Sequence, residues 1–164
     1  MEIKDIRFDA LRNAIYHSSR RRFFELLTRS LSFLVVVSGT AAVANLKMIE
    51  PRFMAALAAI IGAIQLVFDF GGRARLHEKL QAQYFQLISA IDGTVNPTDA
   101  DRAKWEAQLS LIYADEPPPM RALDALAYNK ACDSLGYSGS VRIPVKWWQA
   151  LFRHIYSFPD TQFS

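Results

Sequence analysis

SLSFLVVVSGTAAVANL (residues 30–46) and FMAALAAIIGAIQLVF (residues 53–68) decide the architecture of this chain. Each is ~16–17 residues long, about 25 Å of helix at 1.5 Å per residue, slightly short of a ~30 Å hydrocarbon core. Extending them to about 23–46 and 51–70 supplies the missing length and leaves Glu25, Arg29 and Asp69 at the edges. Charged side chains there reach back to the headgroups. Only Lys47-Met48-Ile49-Glu50-Pro51-Arg52 separates the two stretches, room for a tight turn. We read a two-helix transmembrane hairpin.

The flanking charges orient it. Lys4, Arg7, Arg12, Arg20, Arg21 and Arg22 precede the first stretch, and Arg73, Arg75 and Lys79 follow the second. The turn offers only Lys47 and Arg52. By the positive-inside rule both termini are cytoplasmic and the turn lies outside. The net charge of +3 is mild, so its placement carries more than its size. A cleaved secretory signal does not fit: the basic region is too long and Asn45-Leu46-Lys47-Met48 is not a small-x-small site. The single cysteine, Cys132, excludes an internal disulfide and a thiolate metal cluster.

Helical periodicity continues on both sides of the spans. Ile3, Ile6, Ala10, Leu11, Ala14 and Ile15 form one apolar stripe, with a break expected near His17-Ser18-Ser19. Leu76, Leu80, Tyr84, Leu87, Ile88 and Ile91 form another, ending near Asp92-Gly93. These stripes read as two packed arms below the membrane. Gly71-Gly72 at the membrane exit is either a hinge or a point of close helix approach. Thr98 and Asp101 have capping-box spacing, opening a helix with Trp105, Leu109 and Ile112 that stops before Glu116-Pro117-Pro118-Pro119. A further helix spans about 120–135 with Leu123, Leu126, Ala127 and Ala131. Pro144 then opens a last one with Trp148, Leu151, Phe152 and Ile155 on one face. Only 140–143 has a hint of strand. We expect an all-α chain in two parts: residues 1–95, the hairpin with its cytoplasmic arms, and 96–164, a small cytoplasmic helical region.

Catalytic chemistry finds no foothold. There is no phosphate loop, nucleophile elbow or metal-ligand cluster, so neither enzyme activity, cofactor nor metal is expected. His17 and His77 face each other across the arms, either as a proton or metal site or as a plain interfacial pair. Nucleic-acid binding is not expected, because bilayer entry already explains the arginines at 20–22. The polar residues inside the spans say more. Ser38, Thr40, Asn45 and Gln65 are the candidate pore-lining residues, since polar groups in lipid seek a partner helix or a wet path. Ala55, Ala59, Gly62 and Ala63 form small-residue rows that let helices approach, and are the candidate contacts of a homo-oligomer. Trp147 and Trp148, beside Lys146, Arg153 and His154, either sit at the headgroup level or close the cytoplasmic bundle.

Leu11-Arg12-Asn13-Ala14-Ile15-Tyr16-His17 and Arg20-Arg21-Arg22-Phe23-Phe24 run straight into a span, a tight turn, a second span and a long helix. This layout resembles the SMODS- and SLOG-associating two-transmembrane effectors (SLATT). Glu116-Pro117-Pro118-Pro119 and Leu123-Asp124-Ala125-Leu126-Ala127-Tyr128-Asn129 resemble a segment of one branch of that group. The resemblance implies a prokaryotic antiviral conflict (abortive infection) effector that assembles in the inner membrane. Such an effector opens a pore when a nucleotide-signal sensor protein detects infection. No sensor domain is read in this sequence, so the trigger is expected from a separate protein or ligand. A non-conducting membrane-anchored adaptor and a phage-type superinfection-exclusion protein share the layout and are the alternatives.

Overall fold

A computed structural model describes residues 1–44, 50–137 and 142–159, and among these all regular structure is helical. Six helices follow in order: α1 (Ile3–Val43), α2 (Pro51–Phe68), α3 (Phe70–Asp92), α4 (Asp99–Ala114), α5 (Arg121–Ser134) and α6 (Trp147–Phe152). The expected break at His17-Ser18-Ser19 is absent; α1 is helical throughout, because nothing in that tripeptide removes a backbone donor. Arg142 and Ile143 form no strand, and Ser140 and Val141 lie outside the described residues. Ile143 instead exchanges two hydrogen bonds with the Asn129 side chain: its N–H donates to Oδ1 at 2.8 Å and its carbonyl accepts from Nδ2 at 2.7 Å.

The chain divides into two compact units, Met1–Arg20 with His77–Ser164, and Arg21–Leu76. Both amphipathic arms belong to the same compact unit as the C-terminal helices. The physical reason is their shared core. Ile6, Ala10 and Ala14 of α1 pack with Leu80, Tyr84, Leu87 and Ile91 of α3 and with Trp105, Leu109 and Ile112 of α4. The i, i+4, i+8 row of 6, 10 and 14 faces inward, and its two alanines permit close approach. Leu11 and Ile15, expected in that row, lie off its axis and are only half-buried. Ile15 packs instead on a second cluster of Tyr16, Leu123 and Ala127. The Thr98 box forms as expected: its Oγ1 accepts from Asp101 N–H, and Asp101 accepts from Thr98 N–H at 2.9 Å. Bidentate pairs join Arg7 to Asp92 and Arg12 to Asp124.

The other unit contains residues 21–43 of α1, all of α2 and the first turns of α3. The Gln65 side chain of α2 donates to the Thr28 carbonyl at 3.3 Å and to Ser32 Oγ at 3.1 Å. Phe24 stacks on Phe70 with ring centroids 6.4 Å apart. Two helical stretches, Ile3–Val43 and Pro51–Asp92, are long and apolar enough to cross a membrane, and only 6 % of the most apolar window of each is buried. The second is interrupted at Asp69, which sits in the left-handed region at φ 39°. Its carboxylate caps α3 by accepting from Gly72 N–H at 2.9 Å. A Cβ at residue 72 would collide with that carboxylate, so the glycine makes room for the cap.

Candidate functional site

Four polar side chains from two helices and one loop converge inside the unit of Met1–Arg20 and His77–Ser164. His17 of α1 and His77 of α3 are 1 % and 3 % exposed, and their Nδ1 atoms are 2.8 Å apart. The other nitrogen of His17, Nε2, lies 2.8 Å from Glu116 Oε1. The same oxygen accepts a short hydrogen bond from the fully buried Tyr84 hydroxyl. Tyr84 also stacks on the His17 ring, at 5.7 Å and 11°. Tyr16 packs edge-on against the His17 ring at 5.1 Å, and its hydroxyl accepts from Met120 N–H at 3.0 Å.

Hydrogen-bond arithmetic fixes the protons. With Glu116 ionised, its Oε1 accepts from Tyr84 O–H and His17 Nε2–H. A neutral His17 then accepts at Nδ1, so His77 donates from its own Nδ1–H. Two N–H groups cannot face each other across 2.8 Å, so a single proton lies on the contact between the two rings. Burial and the bond to Glu116 push the Tyr84 hydroxyl far above its usual range, so it stays a donor. Burial likewise pushes neighbouring Tyr113 up to about 12.

The relay ties the segment ahead of the prolines to α1 and α3. Glu116 addresses the ring nitrogen of His17 opposite to the one facing His77. Among the described residues no group of three or more His, Cys, Asp or Glu is arranged to hold an ion. A cavity of about 80 Å³ nearby in sequence space is lined by Ile15, Ser19, Leu123, Leu126, Ala127, Lys130 and Arg153, and by none of the relay residues. The relay is a buried hydrogen-bonded latch that joins α1, α3 and the segment ahead of the prolines.

Removing the common acceptor should be costly. Glu116→Ala leaves the Tyr84 hydroxyl and a His17 N–H buried without a partner, at about 1–3 kcal/mol each. Glu116→Gln keeps a carbonyl acceptor and should lose clearly less, as read by thermal unfolding in detergent.

The residues chosen from sequence are distributed differently. Ser38 is buried, Thr40 is exposed, and Gln65 is bonded to Thr28 and Ser32 of its own chain. Ser38 lies about 9 Å of helix rise beyond Ser32, so Gln65 and Ser38 are not brought to one level. Asn45 lies outside the described residues. Ala55, Ala59 and Ala63 are exposed along α2, and a Cβ on Gly62 would meet nothing within 4 Å. Cys132 is a free, buried thiol. Of the relay, sequence singled out only the two histidines. Tyr84 reads as core, and Glu116 reads as a helix boundary.

His154 adds a pH response. Burial, then the charges of Arg153 and Arg20, push its imidazole down to about 4 from 6.5. The folded protein thus binds fewer protons than the unfolded chain between those values. Its contribution is complete above pH ~6.5 and is lost as pH falls toward ~4, worth roughly 1–2 kcal/mol after allowing for partial exposure. Melting curves at pH 7 and pH 5 should show this drop, and His154→Gln should flatten it.

No family model, no curated protein and no solved structure matches this chain.

Proposed function

We propose that the protein is a self-associating inner-membrane effector of a prokaryotic antiviral conflict system, opening an ion path when a separate sensor protein or ligand triggers it. The observation that carries the membrane part is the exposure of apolar side chains such as Phe33, Val36, Phe53, Ile60, Leu66 and Val67 on α1 and α2. Such a surface far exceeds what a water-exposed monomer carries and needs lipid or other chains around it. The contacts of Phe24 with Phe70 and of Gln65 with Thr28 and Ser32 support an antiparallel transmembrane hairpin. The basic flanks support an orientation with both termini in the cytoplasm. The open space around Gly62 and the small residues at 55, 59 and 63 support self-association. The effector role rests on the SLATT-like layout of residues 11–24 and 116–129.

One observation favours the second reading, a non-conducting anchored adaptor. Gln65 spends its donors within its own chain instead of leaving them for a wet path. Induced expression read with a membrane-potential dye separates the two. Depolarisation and growth arrest, with the triggering partner present, are expected of the effector; normal potential and growth would hand the reading to the adaptor.

A further inference from the structure

Trp147, Leu151 and Ile155 recur at four-residue spacing on α6 and the turn that follows, and are 79 %, 65 % and 72 % exposed. They do not close the helical unit. The segment is held from its other side, where Gln149 is buried and its Oε1 accepts from Lys146 N–H at 2.9 Å. Trp148 and Tyr156 rest against the buried Phe158 ring at 5.4 and 4.9 Å. The helix also starts three residues after Pro144, the start expected from sequence. Pro144 lies in extended chain, and Trp147 is the first helical residue.

We propose that this face of α6 is a bilayer-surface docking element that lies on anionic phospholipid headgroups with Trp147, Leu151 and Ile155 in the interface. The proposal rests on the membrane reading above and extends it to the unit that contains α6. Charge complementarity selects the occupant. Between Asp133 and Asp160 the sequence carries no carboxylate, while Lys146 and Arg153 bracket the apolar face; Arg142 is paired with Asp133. A stripe of tryptophan and aliphatic residues edged by cations is the composition that binds acidic lipid surfaces. A second copy packed symmetrically on the same face would bring Lys146 and Arg153 against their own like charges.

The tryptophans make the test clean. The chain has three, at 105, 147 and 148; Trp105 is buried in the core and none falls within residues 21–76. Quenching of tryptophan emission by brominated lipid therefore reports on α6 and not on the spans. Full-length protein is reconstituted into brominated phosphatidylcholine vesicles with and without phosphatidylglycerol. Strong quenching is expected, greater with phosphatidylglycerol, lost in the Trp147→Phe/Trp148→Phe variant and reduced by Leu151→Ser/Ile155→Ser, whose tryptophans remain. Protein that floats with the vesicles yet is unquenched overturns the proposal and leaves the membrane reading standing. Unquenched emission shifted to the blue would mean that protein, such as a second copy, covers the face, which also overturns it. Protein that fails to float overturns both.

Discussion

Leu80→Asp is expected to abolish the folded form of the unit built from Met1–Arg20 and His77–Ser164. Leu80 is fully buried among Ile6, Tyr84 and the other side chains of the main core. The substitution removes about 2–3 kcal/mol of apolar burial. It also places an unpaired charge where removal of a charge partner typically costs about 3–5 kcal/mol. Together these rival the roughly 5–15 kcal/mol that holds an ordinary domain folded. Purified protein should lose its cooperative thermal transition and run as aggregate in size-exclusion chromatography. Leu111→Asp on α4, at a site 72 % exposed, should leave both unchanged. A Leu80→Asp protein that melts like wild type would show that the arms do not share a core.

The second large effect is functional. Gly62→Leu should eliminate the oligomer while leaving insertion intact. The chain itself leaves the space beside Gly62 open, so leucine clashes with nothing in the monomer. Lipid supplies no hydrophobic drive between helices, so association depends on close backbone approach, which a leucine prevents. Insertion is preserved because hydropathy only rises. Crosslinking in membranes should yield monomer alone, and depolarisation on induction should disappear with it. Unchanged crosslinked species would place the interface elsewhere.

The parts of the fold that were legible in sequence are those set by local rules. The Thr98–Asp101 box, the stop at Gly93 and the inward face of Leu80, Tyr84 and Leu87 follow from spacing on one helix. Other features are not legible from local rules. Gly71-Gly72 reads as a hinge or a point of close approach; the left-handed residue is Asp69, and Gly72 makes room for its carboxylate. Propensity alone does not reveal a non-glycine residue that trades backbone comfort for a cap. Trp148, Leu151, Phe152 and Ile155 share one face in the sequence and all four are exposed; periodicity shows that a helix has an apolar face and not what covers it. The relay was half legible. His17 and His77 sit at matching places on two arms, whereas Glu116 arrives from a loop ~100 residues along the chain, a partnership created only by tertiary packing.

Cysteine labelling tests the membrane-crossing topology most directly. In a Cys132→Ala background, Glu50→Cys sits at the start of α2 and Val95→Cys lies just past α3, both at exposed positions. A membrane-impermeant maleimide applied to intact cells should label Glu50→Cys and reach Val95→Cys only after permeabilisation. Labelling of Val95→Cys in intact cells, or protection of Glu50→Cys in them, would contradict a hairpin that crosses the bilayer with both ends inside.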